Sequence, residues 1–483
     1  MLGAASDSGR PRTIAIVGGG FSGAMVAVHL LRNAPVPIEI SLIERRPVLG
    51  QGLAYSTTLG THVLNVPADK MGAFAQGIDD FQRWLKALEP EFGEFAPHGF
   101  VPRIWYGTYL RSVLAEAEAA APVGVRLKRV IDVAESIEPG PAALTIGLAS
   151  GDSIQADQLV LAFGNLPAGD PPLEVGTLEG RPTYLHDAWD TEAVRAIPAD
   201  ADVLLIGTGL TMIDWAFSLG RQGHRGTIHA VSRRGLLPRA HGPAAPAVLG
   251  PGIDAAPATA LGLSRAVRRE VAAATAAGGD WRSVVDALRP RTQGLWASLP
   301  VVERRRFLRH LRPFWDVHRH RAAPHVAALI EEMQRTGRLV VHAGRLVSVV
   351  DGPAGIGGAA PTAEVTIRLR RSGSERVLRV ERIVNAIGPG GDVRTSGEAF
   401  LDGLLRAGIA QADPFGLGLR TAGDGALIAS DGTVSTRIFT LGSARRGDLW
   451  ESTAVPELRV QAARLAERLI APDGAGPDLE QPA

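Results

Sequence analysis

The 483-residue chain has no cysteine, few aromatic residues at 5%, and almost no net charge, with 51 Lys+Arg against 50 Asp+Glu. Each shortage removes a class of protein. Without thiols there is no disulfide framework, thiolate metal site, iron–sulfur cluster or redox-active cysteine pair. The balanced charge lacks the basic excess of a nucleic-acid binder, and 45% hydrophobic residues are too many for a disordered polar chain. Long apolar runs are missing too, since nothing reaches the roughly 18 uncharged apolar residues of a membrane span. Arg10 and Arg12 ahead of the uncharged run 13–28 imitate an export signal, but Gly18, Gly20 and Gly23 interrupt it where a strand must turn into a helix. A cytoplasmic protein of two or three domains is expected, with no nucleic-acid or membrane partner.

What is abundant is glycine, at 57 residues, and two clusters of it carry the signal. Gly18-Gly19-Gly20-Phe21-Ser22-Gly23 follows the apolar run 13–17 and opens a helical pattern; Gly207-Thr208-Gly209-Leu210-Thr211-Met212 does the same after 203–206. In such a strand–turn–helix unit the first glycine makes the turn and the second lets backbone approach a pyrophosphate. The third lets the helix pack on the strand. Free N–H groups at the helix start then face the phosphates. Two such loops imply two dinucleotides. The second strand of the first unit ends at Glu44, 44 − 23 = 21 residues beyond Gly23, where a carboxylate accepts hydrogen bonds from both ribose hydroxyls. The second unit instead reaches Ser232-Arg233-Arg234, and arginine here pairs with a 2′-phosphate. The first site is therefore expected to take FAD and the second NADPH.

Around these units the pattern predicts helices at 84–89 and 106–120 and strands at 125–133, 143–148 and 153–161, closing at Ala162-Phe163-Gly164. A Pro-rich linker follows at 166–172. After the second unit come a basic helical stretch at about 245–335, strands at 338–341, 365–369 and 377–384 closing at Ala386-Ile387-Gly388, and a last helix at 456–470. The expected fold is α/β, with two Rossmann-like dinucleotide-binding domains and a helical insertion. The FAD domain is discontinuous (13–190 and 376–470), the NADPH domain (195–375) is inserted in it, and 1–12 and 471–483 are disordered. The densest cationic and aromatic run, 309–321, reads either as a clamp for phosphates or an anionic substrate, or as a helix with a solvated basic face and Phe314 and Trp315 in the core.

With both loops and the two Ala-x-Gly strand ends in place, the chain resembles the two-dinucleotide-binding flavoproteins, and within them the NADPH-dependent flavin monooxygenases. Leu64-Asn65-Val66-Pro67 followed by Met71 is similar to the segment beside the flavin in that group, which implies that Asn65 lies near the flavin C4a position as the catalytic residue. Gly50-Gln51-Gly52-Leu53-Ala54-Tyr55, Phe100-Val101-Pro102-Arg103 and Trp450-Glu451-Ser452-Thr453 are similar to a branch containing flavin-dependent urate hydroxylases and L-aspartate N-monooxygenases. The resemblance implies cofactor contacts at Gln51, Leu53, Asn65, Arg103, Gly164, Gly388 and Gly442. His186 and Trp189 stand where the wider group has a Phe-x-Gly-x-x-x-His hinge, with Pro182 in place of its glycine, which speaks against a Baeyer–Villiger enzyme.

The implied activity uses NADPH, FAD and O2 to hydroxylate a small polar nitrogen compound through a C4a-(hydro)peroxyflavin. Urate is the expected substrate, N-hydroxylation of an amino acid such as L-aspartate the alternative, and electron transfer to a partner protein the reading from another class. No metal is expected, and a homo-oligomer is compatible with the sequence.

Overall fold

A computed structural model describes residues 10–92, 99–244, 247–352 and 361–471. The disorder expected for 1–9 and 472–483 falls outside these, whereas Arg12 already belongs to the first strand. In the first unit β1 (Arg12–Val17), β2 (Ile38–Glu44) and β3 (Val125–Ile131) run parallel. The chain then leaves as a three-stranded antiparallel sheet, β4 (Ala134–Pro139), β5 (Leu144–Leu148) and β6 (Ser153–Ala156), and returns as β7 (Gln158–Leu161) beside β1. The second unit comprises β8 (Tyr184–Leu185), β9 (Val203–Ile206), β10 (Ile228–Ser232), β11 (Leu339–Asp351), β12 (Ala363–Leu369), β13 (Glu375–Val380) and β14 (Arg382–Asn385). Two last strands, β15 (Ala426–Ile428) and β16 (Val434–Thr440), complete the first sheet in the order β15-β16-β7-β1-β2-β3, against β13-β12-β11-β10-β9-β14-β8 in the second.

The two sheets are built alike, and the α/β expectation is met. The central strands are short apolar runs buried on both faces, as parallel strands covered by helices must be. Helix Phe21–Asn33 packs between the first sheet and the C-terminal helix Val455–Ile470, and helix Leu210–Arg221 lies on the second beside Pro324–Arg335. Sequence pattern had merged strands that the structure separates. The expected strand 153–161 breaks at Asp157, whose N–H donates to the Thr13 carbonyl (2.9 Å) and whose carboxylate accepts from the Thr13 N–H (2.8 Å) and Oγ1 (2.9 Å). The expected strand 377–384 breaks at Glu381 in the same way, with its N–H on the Asp202 carbonyl (2.9 Å) and its carboxylate on the Asp202 N–H (2.6 Å). An acid at the return of the antiparallel excursion thus clamps the start of the central strand in both units. The boundary expected at 376 moves accordingly: β14 pairs with β9, so the second sheet runs to Asn385. At its other end β8 joins at Tyr184, inside the expected first segment.

Two chain segments connect the units side by side, joined by an antiparallel bridge between Leu166 and Gly390. Beyond them, the loop 57–63 of the first unit reaches across: Leu59 and Val63 belong to the core of the second, and Thr61 Oγ1 meets Ser218 Oγ at 2.7 Å. Arg103, at the start of helix Arg103–Ala119, holds this loop. Its Nε donates to the Val63 carbonyl at 3.0 Å and its Nη2 to Asp214 Oδ2 at 2.8 Å, with side-chain exposures of 7% and 13% for the pair. Trp189 lies over the guanidinium at 5.7 Å.

Removing one partner of a buried ion pair leaves the other charge uncompensated. Arg103→Met is expected to cost about 3–5 kcal/mol in urea unfolding, and adding Asp214→Leu to recover part of that loss.

Candidate active site

Both phosphate loops are closed by the same contact. Gly18 (φ +107°) and Gly207 (φ +117°) occupy the left-handed region, and a Cβ on either would overlap the carbonyl oxygen of Ala162 or Ala386 respectively. Their N–H groups donate to Ile43 and Val231 carbonyls, each at 2.8 Å. Gly20 and Gly209 cap the following helices with no side chain over the helix start, leaving the N–H groups toward a ligand. The loops differ at their sixth position: Gly23 packs against Gly18, while Met212 stands there in the second loop and is fully buried.

Around the first loop the structure gathers most of the expected flavin-site residues. Glu44 is buried at the end of β2, with Oε2 accepting from the Gly19 N–H (2.8 Å) and Oε1 from the Arg46 N–H (3.0 Å). This fixes the carboxylate at the mouth of the loop with lone pairs to spare. The Gly50 N–H donates to the Gly19 carbonyl (2.7 Å), so residues 50–53, with Gln51 and Leu53, lie against the loop. Phe21 stacks on Tyr106 at 6.4 Å. Gly442 faces Ser22, and Ser443 Oγ donates to the Gly164 carbonyl. Gly164 and Gly209 have open space where a side chain would be, which suits a bound dinucleotide.

At the second loop Thr208 and Ser232 hydroxyls lie 2.8 Å apart, and the Gly235 N–H donates to Ser232 Oγ. Leu210 and Thr211 begin the helix, and Gly388 continues from Ile387, whose Cα lies against Gly207. The two arginines diverge. Arg233 is exposed and makes no hydrogen bond or ion pair to a described residue, while Arg234 lies over Phe314 at 4.9 Å with Nη2 3.4 Å from the His310 carbonyl. Arg233 is the one available to a 2′-phosphate. Arg103, expected to touch cofactor, has its guanidinium committed to Val63 and Asp214.

Asn65 lies on the segment pinned by the Leu64 N–H to Val101 carbonyl bond (2.9 Å). Its side-chain amide has no hydrogen-bond partner among the described residues. Its carbonyl accepts from Nε2 of His241 (2.9 Å), a residue of the second unit. Burial, reinforced by Arg321, lowers the His241 pKa to about 4, so the ring is neutral with Nε2 as donor. The contact between Asn65 and His241 thus joins the two units. His241 was visible in the sequence only as a loop histidine; nothing local there marks its partner 176 residues away.

The run 309–321 departs from the solvated-face reading. Phe314 is 44% exposed, while Arg321 is only 3% exposed and ion-paired with Asp286. Arg319 (3.4 Å), His320 (3.3 Å) and the Trp315 Nε1–H (2.8 Å) converge on Glu451. Burial alone would raise the Glu451 pKa, but His320, Arg319 and Trp315 together hold it at about 2. Glu451 adopts φ +63°, the one positive φ at a non-glycine among the described residues, and these three partners hold that strain. Asp316, His320 and Glu451 each bring a donor atom within 4.8 Å of the others. With Arg319 and Trp315 also on Glu451, the group is an ion-pair network.

Residues 15–166 match the model of a family described as FAD-NAD(P)-binding. No curated protein sequence matches the chain. Solved structures share its whole architecture. Ornithine hydroxylase (PvdA) of Pseudomonas aeruginosa, in its reduced form, aligns with 95% of this chain and 99% of its own at 15% identity and TM-score 0.64. Ornithine N-hydroxylase of Kutzneria sp. 744, with reduced FAD, NADP+ and L-ornithine, aligns with 96% and 100% at 14% identity and TM-score 0.62. L-lysine 6-monooxygenase of Pseudomonas syringae aligns with 95% and 99% at 17% identity and TM-score 0.62. At these identities the common property is the fold. No helix among the described residues is long and apolar enough to cross a membrane.

Two outcomes are expected. Arg233→Ala should raise the KM for NADPH about tenfold, as expected for loss of a charge-assisted hydrogen bond, and leave that for NADH within twofold. Folded His241 and His342 both take up a proton only near pH 4, against 6.5 ordinarily, His342 through burial and then its neighbour His229. The unfolded chain binds those protons first, so stability should fall as pH drops from about 6.5 to about 4. His241→Gln should flatten the pH dependence of the Tm in that window.

Proposed function

We propose that the chain is an FAD-dependent, NADPH-consuming monooxygenase that N-hydroxylates the amine of a small polar amino acid. What supports the reading is the pair of unequal loops, with Glu44 at the first and Arg233, exposed and unpaired among the described residues, at the second, and the bond from His241 to the Asn65 carbonyl across the two units. FAD on the first loop would supply O2 activation, with hydride drawn from NADPH on the second. The reaction balances as R–NH2 + O2 + NADPH + H+ giving R–NHOH, H2O and NADP+.

The chain's own part is positional. The glycine turns and helix starts bind pyrophosphates, Glu44 takes an adenosine ribose, and Arg233 takes a 2′-phosphate. The free Asn65 amide offers a donor and an acceptor at the junction, and neutral His241 orients the Asn65 backbone without adding charge. Absence of cysteine from the sequence leaves no thiol pair to relay electrons. An amine is favoured over urate because N-hydroxylases recur among the structures that share the fold. Electron transfer to a partner protein is the competing reading.

NADPH oxidation should be followed with L-aspartate, L-ornithine, L-lysine and urate, while hydroxylamine and H2O2 are quantified. At least one amino acid is expected to yield hydroxylamine in near-stoichiometric ratio to NADPH. Conversion of urate alone would move the substrate class. NADPH consumed wholly as H2O2 with every amine, together with fast reduction of an added electron acceptor, would overturn the monooxygenase reading.

A further inference from the structure

The turn that follows β10 is tied to the second glycine loop. Thr208 Oγ1 meets Ser232 Oγ at 2.8 Å and donates to the Leu236 carbonyl at 2.6 Å, and Gly235 (φ +61°) lies against Ala343. Arg233 and Arg234 stand between these pins. Arg233 points to solvent without a partner among the described residues, whereas Arg234 reaches out to the helical insertion.

An exposed aromatic ring receives it there. Phe314 carries the Arg234 guanidinium at 4.9 Å, and the His310 carbonyl lies 3.4 Å from Arg234 Nη2. His310 belongs to the π-helical turn Phe307–Leu311, a backbone form that recurs at functional sites. The platform is fixed relative to the loop, because helix Arg312–Arg319, which carries Phe314, is tied back to the chain just beyond the turn. The Arg239 N–H donates to the Val317 carbonyl (2.8 Å) and the Ala322 N–H to the Arg239 carbonyl (2.9 Å). A guanidinium laid on a phenyl ring gains a cation–π contact and loses rotamer freedom. Arg234 Nε and Nη1 donate to no described residue and are not buried. The charge is held still while these donors stay free.

We propose that Phe314 is a positioning residue for cofactor selectivity, holding the Arg234 guanidinium beside Arg233 at the 2′-phosphate end of the second dinucleotide site. The inference rests on the NADPH assignment of the second loop. Arg233 is a free side chain that gives up entropy when it closes on a phosphate; Arg234 has given it up beforehand. A dinucleotide without the 2′-phosphate gains nothing from this preorganisation. The insertion, about 80 residues beyond the arginines, thereby takes part in the choice between NADPH and NADH.

The test uses the full-length, FAD-loaded protein titrated calorimetrically with adenosine 2′,5′-bisphosphate and with adenosine 5′-monophosphate, folding being checked by circular dichroism. Phe314→Ala and Phe314→Leu should each weaken the bisphosphate about fourfold, the size of an exposed cation–π contact, and leave the monophosphate unchanged. Phe314→Tyr, which keeps the ring, should bind both as the unsubstituted protein does. In an Arg234→Ala background Phe314→Ala should cause no further loss. Equal weakening of both nucleotides by Phe314→Ala would overturn the selectivity role, and a further fourfold loss in the double variant would overturn action through Arg234. Arg233→Ala separates the two readings. If it removes the bisphosphate preference and Phe314→Ala does not, the positioning role alone fails. If the unsubstituted protein binds both nucleotides equally, the NADPH assignment fails and the inference with it.

Discussion

A buried ion pair between Arg103 and Asp214 sets how the two halves of the molecule stand to one another. The two connecting segments join the units, and the side chains that cross between them fix how the units pack. Arg103 crosses with a full charge, and low exposure makes that geometry hard to alter: sliding the units apart would strand a carboxylate and a guanidinium in an apolar setting. The Val63 carbonyl and the Trp189 ring complete the coordination of the guanidinium. The loop 57–63 is thereby held inside the second core, and Asn65, two residues on from Val63, is delivered to His241.

The molecule solves one folding problem twice. In each unit the chain must leave a parallel sheet for an antiparallel excursion and come back in register beside the central strand. A one-residue slip there would exchange the two buried faces of the strand and misplace its packing against the helices on either side. Asp157 and Glu381 prevent it by gripping the first residues of β1 and the backbone just ahead of β9. The chemistry then diverges where the copies no longer share a constraint. One second strand ends in a buried carboxylate and the other leads directly into a solvent-facing guanidinium, so one scaffold carries opposite charges at equivalent places.

Much of this was legible in the residues. The glycine turns, the strands feeding them and the acid or arginine at the second strand end are local patterns, each spanning a few residues with a direct geometric meaning. The strand breaks at Asp157 and Glu381 were missed because neither has a glycine or proline to mark a turn, and only pairing partners reveal the change of sheet. Arg103 was expected to touch cofactor on the family resemblance alone, and its motif does not disclose a carboxylate 111 residues later. The basic run 309–321 stayed open between two readings for a related reason: Arg309 and His310 are exposed as its charge density suggests, yet Arg321 is buried and paired with an acid elsewhere in the sequence.

The two connecting segments bridged at Leu166 and Gly390 give the assembly a preferred mechanical axis. A single linker would let the units swing in any direction, whereas two adjacent, mutually bonded linkers leave one soft rotation, about the line that they share, and resist shear and torsion. Gly18 and Gly207 pack on Ala162 and Ala386, the strand ends that lead into these segments, so each phosphate-binding turn rests on the root of one connection.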